Sequence, residues 1–571
     1  MGHKQYWTNE HLEYPELTMY QMVEAAAKAN PNAAAIEFYN KKTSYRIFLD
    51  KINQAARALW RAGIREGDRV TICLPNIPQA MVCFYALNRI SAIANMVHPL
   101  SARDEISFYL NFSKSKMILT ADMFYEKVEE SLKQVDHPVT IILARMQDEL
   151  PFPLNVAYVA KEGKKYRHIP KVPHVITWNE FMSNGLNIGM MNKLPEPSFD
   201  RNRTAVILYS GGTSGTPKGI CLSDLNMNAL AMQGKEATGV AFHPGITMLS
   251  CMPCFHGFGL GINLHLVFIF GGTCILMPTF NKQSYAKMLI RKRPNFIAGV
   301  PTIFEALLHI PELDKIKLDF LMGMFCGGDS LTIELKKKLD TFLKEHGASI
   351  QVREGYGLTE CVTASCLTPK DTYRPGSIGV AFPDTTYAIV APGTDEVMPY
   401  GEEGEIILTG PTVMLGYLDN PEETAKTLRK LSDGRTWLYT GDLGFMDEDG
   451  YVYFKQRIKR MIVTNGYNVY PGQLENAIDS CEEVAYSCVI GVKDPRRMHR
   501  VKAYIVLKDG VEESDAVREK IMGVLKTKIA AYALPREIVF RKELPRTLVG
   551  KVAYRKLEEE SEQENAAKQG E

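Results

Sequence analysis

From Ser210 to Gly219 the chain reads Ser-Gly-Gly-Thr-Ser-Gly-Thr-Pro-Lys-Gly. Three glycines and four hydroxyl residues fall within eight positions, and Lys218 follows. Glycine lets a backbone turn tightly and approach an anion closely. Amides and hydroxyls supply donors and the lysine supplies positive charge, which is the chemistry of a loop that holds polyphosphate. It is not a Walker A loop, because Pro217 stands where G-x-x-x-x-G-K-[ST] needs its second glycine.

Other segments offer complementary groups. In Glu354-Gly-Tyr-Gly-Leu-Thr-Glu360, Tyr356 sits between Gly355 and Gly357 and could lie flat against a base, while Thr359 and Glu360 offer hard oxygen ligands suited to Mg²⁺. Tyr439-Thr-Gly-Asp442 is a tight turn whose carboxylate could accept from two ribose hydroxyls. Cys254-Phe-His256-Gly-Phe-Gly-Leu260 carries one histidine on a glycine-loosened loop. Lys551 closes Leu544-Pro-Arg-Thr-Leu-Val-Gly-Lys551 and, by residue type alone, is a solvated lysine near Lys542, Arg546 and Arg555.

Together these segments resemble the adenylate-forming superfamily, which includes acyl-CoA synthetases, peptide-synthetase adenylation domains and beetle luciferases. Ser210, Gly211, Gly212, Thr213, Ser214, Gly215, Thr216 and Lys218 fit its phosphate loop without a gap. The resemblance implies that Tyr356 stacks on adenine beside Gly355 and Gly357, that Thr359 serves the phosphate, and that Glu360 serves its magnesium with Thr213. It implies that Gly327, Gly328 and Asp329 run along the adenine and the acyl pocket, that Asp442 binds the ribose, and that Arg457 follows it in the nucleotide site. Lys459 falls at the hinge between the domains. Lys551 becomes the lysine that bridges carboxylate and α-phosphate, and Gly466 and Asn468 fall on the CoA side. His256 is implied beside the carboxylate pocket, where amino-acid-activating members carry an aspartate. The acyl pocket is expected near His256, Val300, Cys326, Gly327 and Tyr356.

The resemblance covers roughly residues 19–556. Gln456, Gln473, Val549 and His499-Arg500 depart from common family residues without removing one of direct catalytic role. The implied activity is ATP-dependent ligation of a small carboxylic acid to CoA through an acyl-adenylate, with ATP, Mg²⁺ and CoA required. Medium- or long-chain fatty acids are favoured over aryl or sterol-like acids. Loading of an acyl-carrier protein, a luciferase-like oxidation and a non-catalytic nucleotide scaffold are the rival readings.

Elements must position these groups. Met19 to Ala29 and Thr43 to Trp60 read as helices, the second with Phe48, Ile52, Ala55, Ala56, Leu59 and Trp60 on one face and Gly63 placed to end it. Arg69 to Leu74 and Ile93 to Val97 read as strands around a helix from Gln79 to Ile90. This alternation predicts parallel sheets covered by helices. Strands are expected at Asn295 to Val300, Leu321 to Cys326 and Ser349 to Arg353, with a helix from Thr332 to His346. Leu260 to Pro278 reads as buried helix plus strand. Residues 145–200 carry little signal, and the polar, charged segment around Lys161 to Arg167 reads as a surface insertion. The expected fold is α/β: a large N-terminal domain (1–456) with two parallel-type sheets flanked by helices plus a β-rich subdomain (376–454), then a small mobile α+β domain (457–557). The tail 558–571 is polar and expected to fray.

The chain has 571 residues, enough for more than one domain. Lys+Arg number 67 against 66 Asp+Glu, a balance that gives no support to a nucleic-acid surface. Eleven irregularly spaced cysteines favour reduced thiols and a cytoplasmic setting, and Cys251-Met-Pro-Cys254 reads as two core thiols. The N-terminus reads as neither a signal peptide nor a myristoylation site, and no transmembrane segment is expected.

Overall fold

The computed structural model describes residues 11–162, 172–186, 194–210, 217–460, 462–464, 467–469, 471–494, 498–547 and 552–569. Two parallel sheets form the N-terminal body. In the eight-stranded sheet, Val175–Thr177, Thr140–Ala144, Met117–Ala121, Arg69–Cys73, Ile93–Met96 and Thr204–Ser210 are parallel neighbours in that order. Lys218–Ser223 and Gly416–Tyr417 then extend it antiparallel. In the fourteen-stranded sheet the parallel part runs Ala34–Phe38, Thr273–Leu276, Thr247–Ser250, Phe296–Gly299, Gly323–Gly327 and Val352–Tyr356.

Apolar helices fill the space between the sheets. Pro78–Arg89 is buried on every side, the pattern of a helix with neighbours all round. Tyr45–Arg61 buries the face expected of it, with Phe48, Ile52, Ala55, Ala56 and Leu59 all at 0% exposure, and Gly63 takes φ +88° just past its end. One continuous apolar cluster joins strands of both sheets through these helices. The expected α/β class is therefore what the chain adopts.

Several details depart from the sequence reading. The β-rich stretch 376–454 is present with an apolar cluster of its own, and what the sequence does not show is that it is joined to the large sheet. Its strands Gly379–Ala381, Tyr451–Arg457, Thr436–Met446, Gly404–Thr409 and Thr386–Val390 continue the large sheet antiparallel, through Cys366–Leu367. The strand expected at Ser349 to Arg353 is displaced to Val352–Tyr356, because its register is set by pairing with Gly323–Gly327 and not by local propensity. Residues 145–200 hold regular elements despite their weak signal, while the segment read as an insertion lies outside the described residues from 163 onward. Val175–Thr177 is the sheet's edge strand, and helix Trp178–Asn184 docks on Tyr45–Arg61, where Gln54 and Arg57 donate to the carbonyls of Met182 and Gly185 at 2.8 Å each. The Leu260 region opens as a π-helix, Phe258–His265, before Leu266–Ile269 and the strand Thr273–Leu276.

Beyond Arg457 a single 3-10 turn, Ile458–Arg460, leads to a five-stranded sheet dominated by Val484–Asp494 and Met498–Leu507. Alternate residues face opposite sides. Val489, Val501, Ala503 and Ile505 pack against helices Pro471–Asp479 and Asp515–Lys528. Cys488, Ile490, Val492, Tyr504 and Val506 face the other way. The tail expected to fray covers that second face, as helix Tyr554–Gln569. Leu557 and Ser561 are buried one turn apart, Glu564 pairs with Lys502 at 3.0 Å, and Glu560 pairs with Arg541 at 2.7 Å. The acidic composition that reads as disorder is complementary to basic residues distant in sequence.

Candidate active site

The phosphate loop is the tip of a hairpin. Thr204–Ser210 and Lys218–Ser223 pair antiparallel with Ser210 opposite Lys218. Gly211, Gly212, Thr213, Ser214, Gly215 and Thr216 lie outside the described residues. The Lys218 ammonium pairs with the Glu423 carboxylate and lies 4.8 Å from the centroid of the Tyr417 ring. Tyr417 in turn donates its hydroxyl to Glu360 Oε1 at 2.9 Å. Gly219 is needed where it stands: a Cβ there would lie 3.1 Å from Leu418 Cβ, beside the 2.7 Å bond from Leu418 N to Gly219 O.

The large sheet contributes its C-terminal strand ends, where open α/β sheets hold ligands. Gly323–Gly327 and Val352–Tyr356 bring Gly327 beside Gly355 and Cys326 beside Glu354. Gly328 takes φ +80°, so the chain turns into Asp329 in a backbone shape that side chains resist. Glu354 accepts from the Leu331 amide at 3.2 Å, and burial pushes its carboxyl up to about 8. It therefore stays largely protonated at neutral pH and ties the Gly327–Leu331 loop to the strand beneath.

Tyr356 donates to Asp442 Oδ2 at 2.6 Å, and burial pushes its phenol well up. Asp442 is 2% exposed, sits directly across from Arg457 in the antiparallel pair, and has the Arg457 Nε 3.3 Å from its other oxygen. That carboxylate holds the Arg457 guanidinium above its ordinary range. The tight turn expected at Tyr439–Asp442 is instead a bulge inside strand Thr436–Met446, where Gly441 takes φ +70° and its amide donates to Glu405 at 3.0 Å, because pairing with both neighbouring strands carries the chain straight on. Thr359 and Glu360 lie in the 3-10 turn Thr359–Cys361, and the Met414 amide donates to the Glu360 carbonyl at 2.8 Å. Tyr356, Thr359, Glu360, Asp442 and Arg457 are thus gathered at one edge of the large sheet.

Gln456, the residue before Arg457, is 3% exposed, and both heteroatoms of its amide lack a hydrogen-bond partner among the described residues. Nothing in the sequence flags this beyond its departure from the family residue.

An apolar cavity of about 60 Å³ lies beside these strand ends. Gly234 and Thr238 line it from helix Asp224–Thr238, Phe258 and Ile262 from the π-helix, and Phe325, Cys326, Gly327 and Gly355 from the large sheet. Cys326 and Gly327 were expected there. Val300, His256 and Tyr356 stand outside the lining, though Val300 approaches it behind Gly328. Phe382 closes another side. These extra wall residues belong to no motif. The one signal for them is Gly234, a glycine inside a helix, where a Cβ would lie 2.8 Å from Leu266 Cδ1.

The π-helix is seated by glycines. A Cβ at Gly257 would meet the Val362 carbonyl at 1.7 Å, and one at Gly259 the Pro253 carbonyl at 2.0 Å. His256 precedes this element, and its Nδ1 accepts from the Phe258 amide at 3.2 Å. Cys251 and Cys254 are buried thiols pushed up to about 12 by burial, so they are core residues. Among the described residues no group of three His, Cys, Asp or Glu is placed to hold a metal ion by itself.

On the C-terminal side, Lys459 lies in the turn Ile458–Arg460, and Asn468 lies in the strand Tyr467–Val469, paired with Ile462–Thr464. Lys551 and Gly466 lie outside the described residues. The segment ending in Lys551 is closed by an antiparallel bridge between Arg546 and Val552.

Comparison with known proteins agrees with this arrangement. Residues 23–418 match the family model "AMP-binding enzyme" and residues 473–551 the "AMP-binding enzyme C-terminal domain". The chain is 34% identical over 558 residues to a long-chain-fatty-acid–CoA ligase of Bacillus subtilis, covering 96% of each. It is 32% identical to one of Salmonella typhimurium, covering 87% of this chain and 86% of the relative. Among solved structures, an anthranilate CoA ligase in complex with anthranoyl-AMP superimposes with a TM-score of 0.82 at 23% identity, over 97% of this chain and 98% of that one. A fatty acyl CoA synthetase of Mycobacterium tuberculosis gives 0.69 at 23% identity, over 95% and 98%. Two family models in the expected order, relatives alike over nearly its whole length and a shared fold place the chain among the AMP-binding enzymes, in the acyl-CoA ligase branch of the adenylate-forming superfamily.

Proposed function

We propose that this enzyme is a long-chain fatty acid–CoA ligase that joins its acid to CoA through an acyl-adenylate, releasing AMP and pyrophosphate. The observation that carries this reading is the convergence at Tyr417. Its ring faces the cation of the phosphate hairpin while its hydroxyl holds Glu360, beside Tyr356, Asp442 and an apolar cavity.

A carboxylate is unreactive towards thiols because its leaving group would be oxide. Attack of its oxygen on the α-phosphorus of ATP breaks the bond to pyrophosphate and leaves AMP as the leaving group for the thiol. That attack concentrates negative charge, so the site needs fixed cations more than a protein nucleophile. Lys218 sits at the hairpin base, and its pairing with Glu423 is an arrangement that ATP phosphates would compete for. Lys551 supplies the second cation. Asp442 is preoriented by Tyr356 and Arg457 to accept from ribose hydroxyls, and the Tyr356 ring gives adenine a flat face. His256, at the mouth of the π-helix, positions the substrate carboxylate.

Mg²⁺ usually binds phosphates through one or two protein carboxylates and not in an all-protein cage. Glu360 fits that need: its Oε1 is oriented by Tyr417, whose ring also faces Lys218. Glu360, with the Thr213 hydroxyl, would hold the ion, which would supply charge neutralisation to the phosphates. The cavity fits the start of an apolar chain. CoA is favoured over a carrier protein as acceptor because relatives covering 96% and 87% of the chain are named as CoA ligases.

Rotation of the unit from residue 457 about Lys459 would exchange Lys551 for the Gly466–Asn468 loop at the site, a hinge motion of common type. Lys459→Pro is expected to impair thioester formation more than adenylation, and equal loss of both would refute the hinge. Lys551→Ala removes a contact worth about 3 kcal/mol in the transition state, a loss of roughly a hundredfold in adenylation. The direct test is ATP–pyrophosphate exchange against fatty, aryl and bile-type acids, with and without CoA. Exchange with long-chain acids plus CoA-dependent AMP release is the expected result. Exchange without CoA turnover would shift the acceptor to a carrier protein.

A further inference from the structure

We propose that His98 is a positioning residue for the acid substrate: its ring backs the Phe255–His256 segment and so sets where His256 meets the carboxylate, a role that rests on the ligase reading above. Strand Ile93–Met96 lies between Arg69–Cys73 and Thr204–Ser210 in the parallel part of the eight-stranded sheet, so His98 emerges at the sheet edge where the phosphate hairpin turns. From there its ring reaches the other sheet. The His98 and Phe255 ring centroids are 4.2 Å apart, with the planes at 43°. Phe255 and His256 lie beyond the end of strand Thr247–Ser250 of the fourteen-stranded sheet. His98, Phe255 and His256 are half-buried, while their flanking residues Val97, Pro99, Cys254 and Gly257 are buried. The three rings therefore stand on the open side of the joint between the sheets and not in its core.

Both ends of the segment are fixed by backbone contacts. Asn76, 1% exposed and just beyond Arg69–Cys73, donates to the carbonyls of Ser250 at 3.1 Å and Met252 at 2.8 Å and accepts from the Cys254 amide at 2.8 Å. At the other end Gly257 is pressed against the Val362 carbonyl. Phe255 and His256 lie between these anchors, and the His98 ring is a wall against the first of them. That wall is itself oriented: His98 Nδ1 accepts from the Leu100 amide at 2.9 Å, which fixes the angle of the ring and leaves its proton on Nε2. His256 Nδ1 accepts from the Phe258 amide, so its Nε2–H is the donor it offers a carboxylate, and the direction of that donor follows the path of residues 255–258. Phe258 also lines the apolar cavity. A shift of the segment would move the carboxylate donor and the cavity wall together, and a misplacement of about 1 Å is costly where reacting atoms must align.

The test is ATP–pyrophosphate exchange by the full-length chain with dodecanoate, with the KM for acid and the KM for ATP measured separately in three variants. His98→Asn keeps an oxygen for the Leu100 amide and loses the ring. His98→Phe keeps a flat ring and loses the acceptor, and His98→Ala loses both. The Asn and Ala variants should raise the KM for dodecanoate about three- to tenfold, the scale of one aromatic pair, with the KM for ATP and the melting temperature unchanged. The Phe variant should stay within about twofold of wild type, because it restores the wall. A wild-type-like Asn variant beside an impaired Phe variant would assign His98 to the local loop and overturn the proposal. So would a rise in the KM for ATP in place of the acid, which would put the ring to work at the phosphates, or an unchanged KM for acid in all three. Wild-type enzyme that exchanges pyrophosphate with no acid at all would remove the ligase reading itself, and this role with it.

Discussion

The two sheets of the N-terminal body are built by the same βα alternation, yet they bring opposite chemistry. The eight-stranded sheet ends in a hairpin of hydroxyls, glycines and Lys218. Beside the strands of the fourteen-stranded sheet stand the carboxylates of Glu360 and Asp442, with Tyr356 and the apolar cavity. Neither could manage a nucleotide and a carboxylic acid alone. The joint is short: the chain leaves the large sheet after Gly404–Thr409, places the Met414 amide on the Glu360 carbonyl, and enters the other sheet as Gly416–Tyr417. A long-range crossing thus brings the Tyr417 hydroxyl of one sheet to the Glu360 carboxylate beside the other.

Perturbing the joint should separate the two contributions. The largest effect is expected from Glu360→Gln, which leaves both sheets standing but removes the joint's carboxylate: pyrophosphate exchange should fall about a hundredfold, with a weakened response to Mg²⁺ titration. Retention of exchange would show that the large sheet's charge is dispensable. Asp442→Ala acts on the large sheet alone. It leaves Tyr356 and Arg457 without their shared acceptor, and the KM for ATP should rise by roughly 10- to 100-fold, from about 1.5–3 kcal/mol for hydrogen bonds to a charged group. An effect confined to kcat would contradict a binding role.

Gly234→Val probes the cavity wall that faces the large sheet. Initial-rate measurements across acid lengths should show long acids losing about tenfold against short ones, because a small change in an apolar pocket discriminates on that scale. An unchanged profile would place the acyl chain elsewhere. Tyr417→Phe keeps the ring beside Lys218 and deletes the hydroxyl bond to Glu360. The loss should be near 1 kcal/mol, about fivefold in adenylation.

The last effect concerns stability and not activity. Burial raises the Glu354 carboxyl from 4.5 to about 8. The folded state therefore binds a proton that the unfolded chain has released. The stabilisation is fully present below pH 4.5 and is lost as pH rises through about 8. Glu354→Gln should flatten the decline of melting stability over that window, by at most about 1.4 kcal/mol per pH unit. An identical pH profile in the variant would show that Glu354 is ionised in the folded protein.

Much of this was legible before any coordinates. The helix Met19–Ala29 and the strand Arg69–Cys73 fall where periodicity and turn residues place them. Gly328 and Gly441 do adopt positive φ, though Gly441 serves a bulge within a strand and not the tight turn expected there. What escaped were features made by partners distant in the chain. The tail looks disordered until Lys502 and Arg541 are placed beside its glutamates. Val352–Tyr356 takes its bounds from a neighbour strand. The cavity wall is built of Gly234, Thr238, Ile262 and Phe382, ordinary residues that no motif unites.

The sequence by itself determined the βα alternation, the family and the kinds of groups that handle nucleotide and acid, because these rest on local spacing and residue type. The tertiary structure decided which groups meet: Lys218 with Tyr417 and Glu423, Tyr417 with Glu360, and Tyr356 with Asp442. Those pairs join positions 57 to 205 residues apart. Their geometry follows from how two sheets pack through shared helices, a long-range outcome that no local stretch encodes.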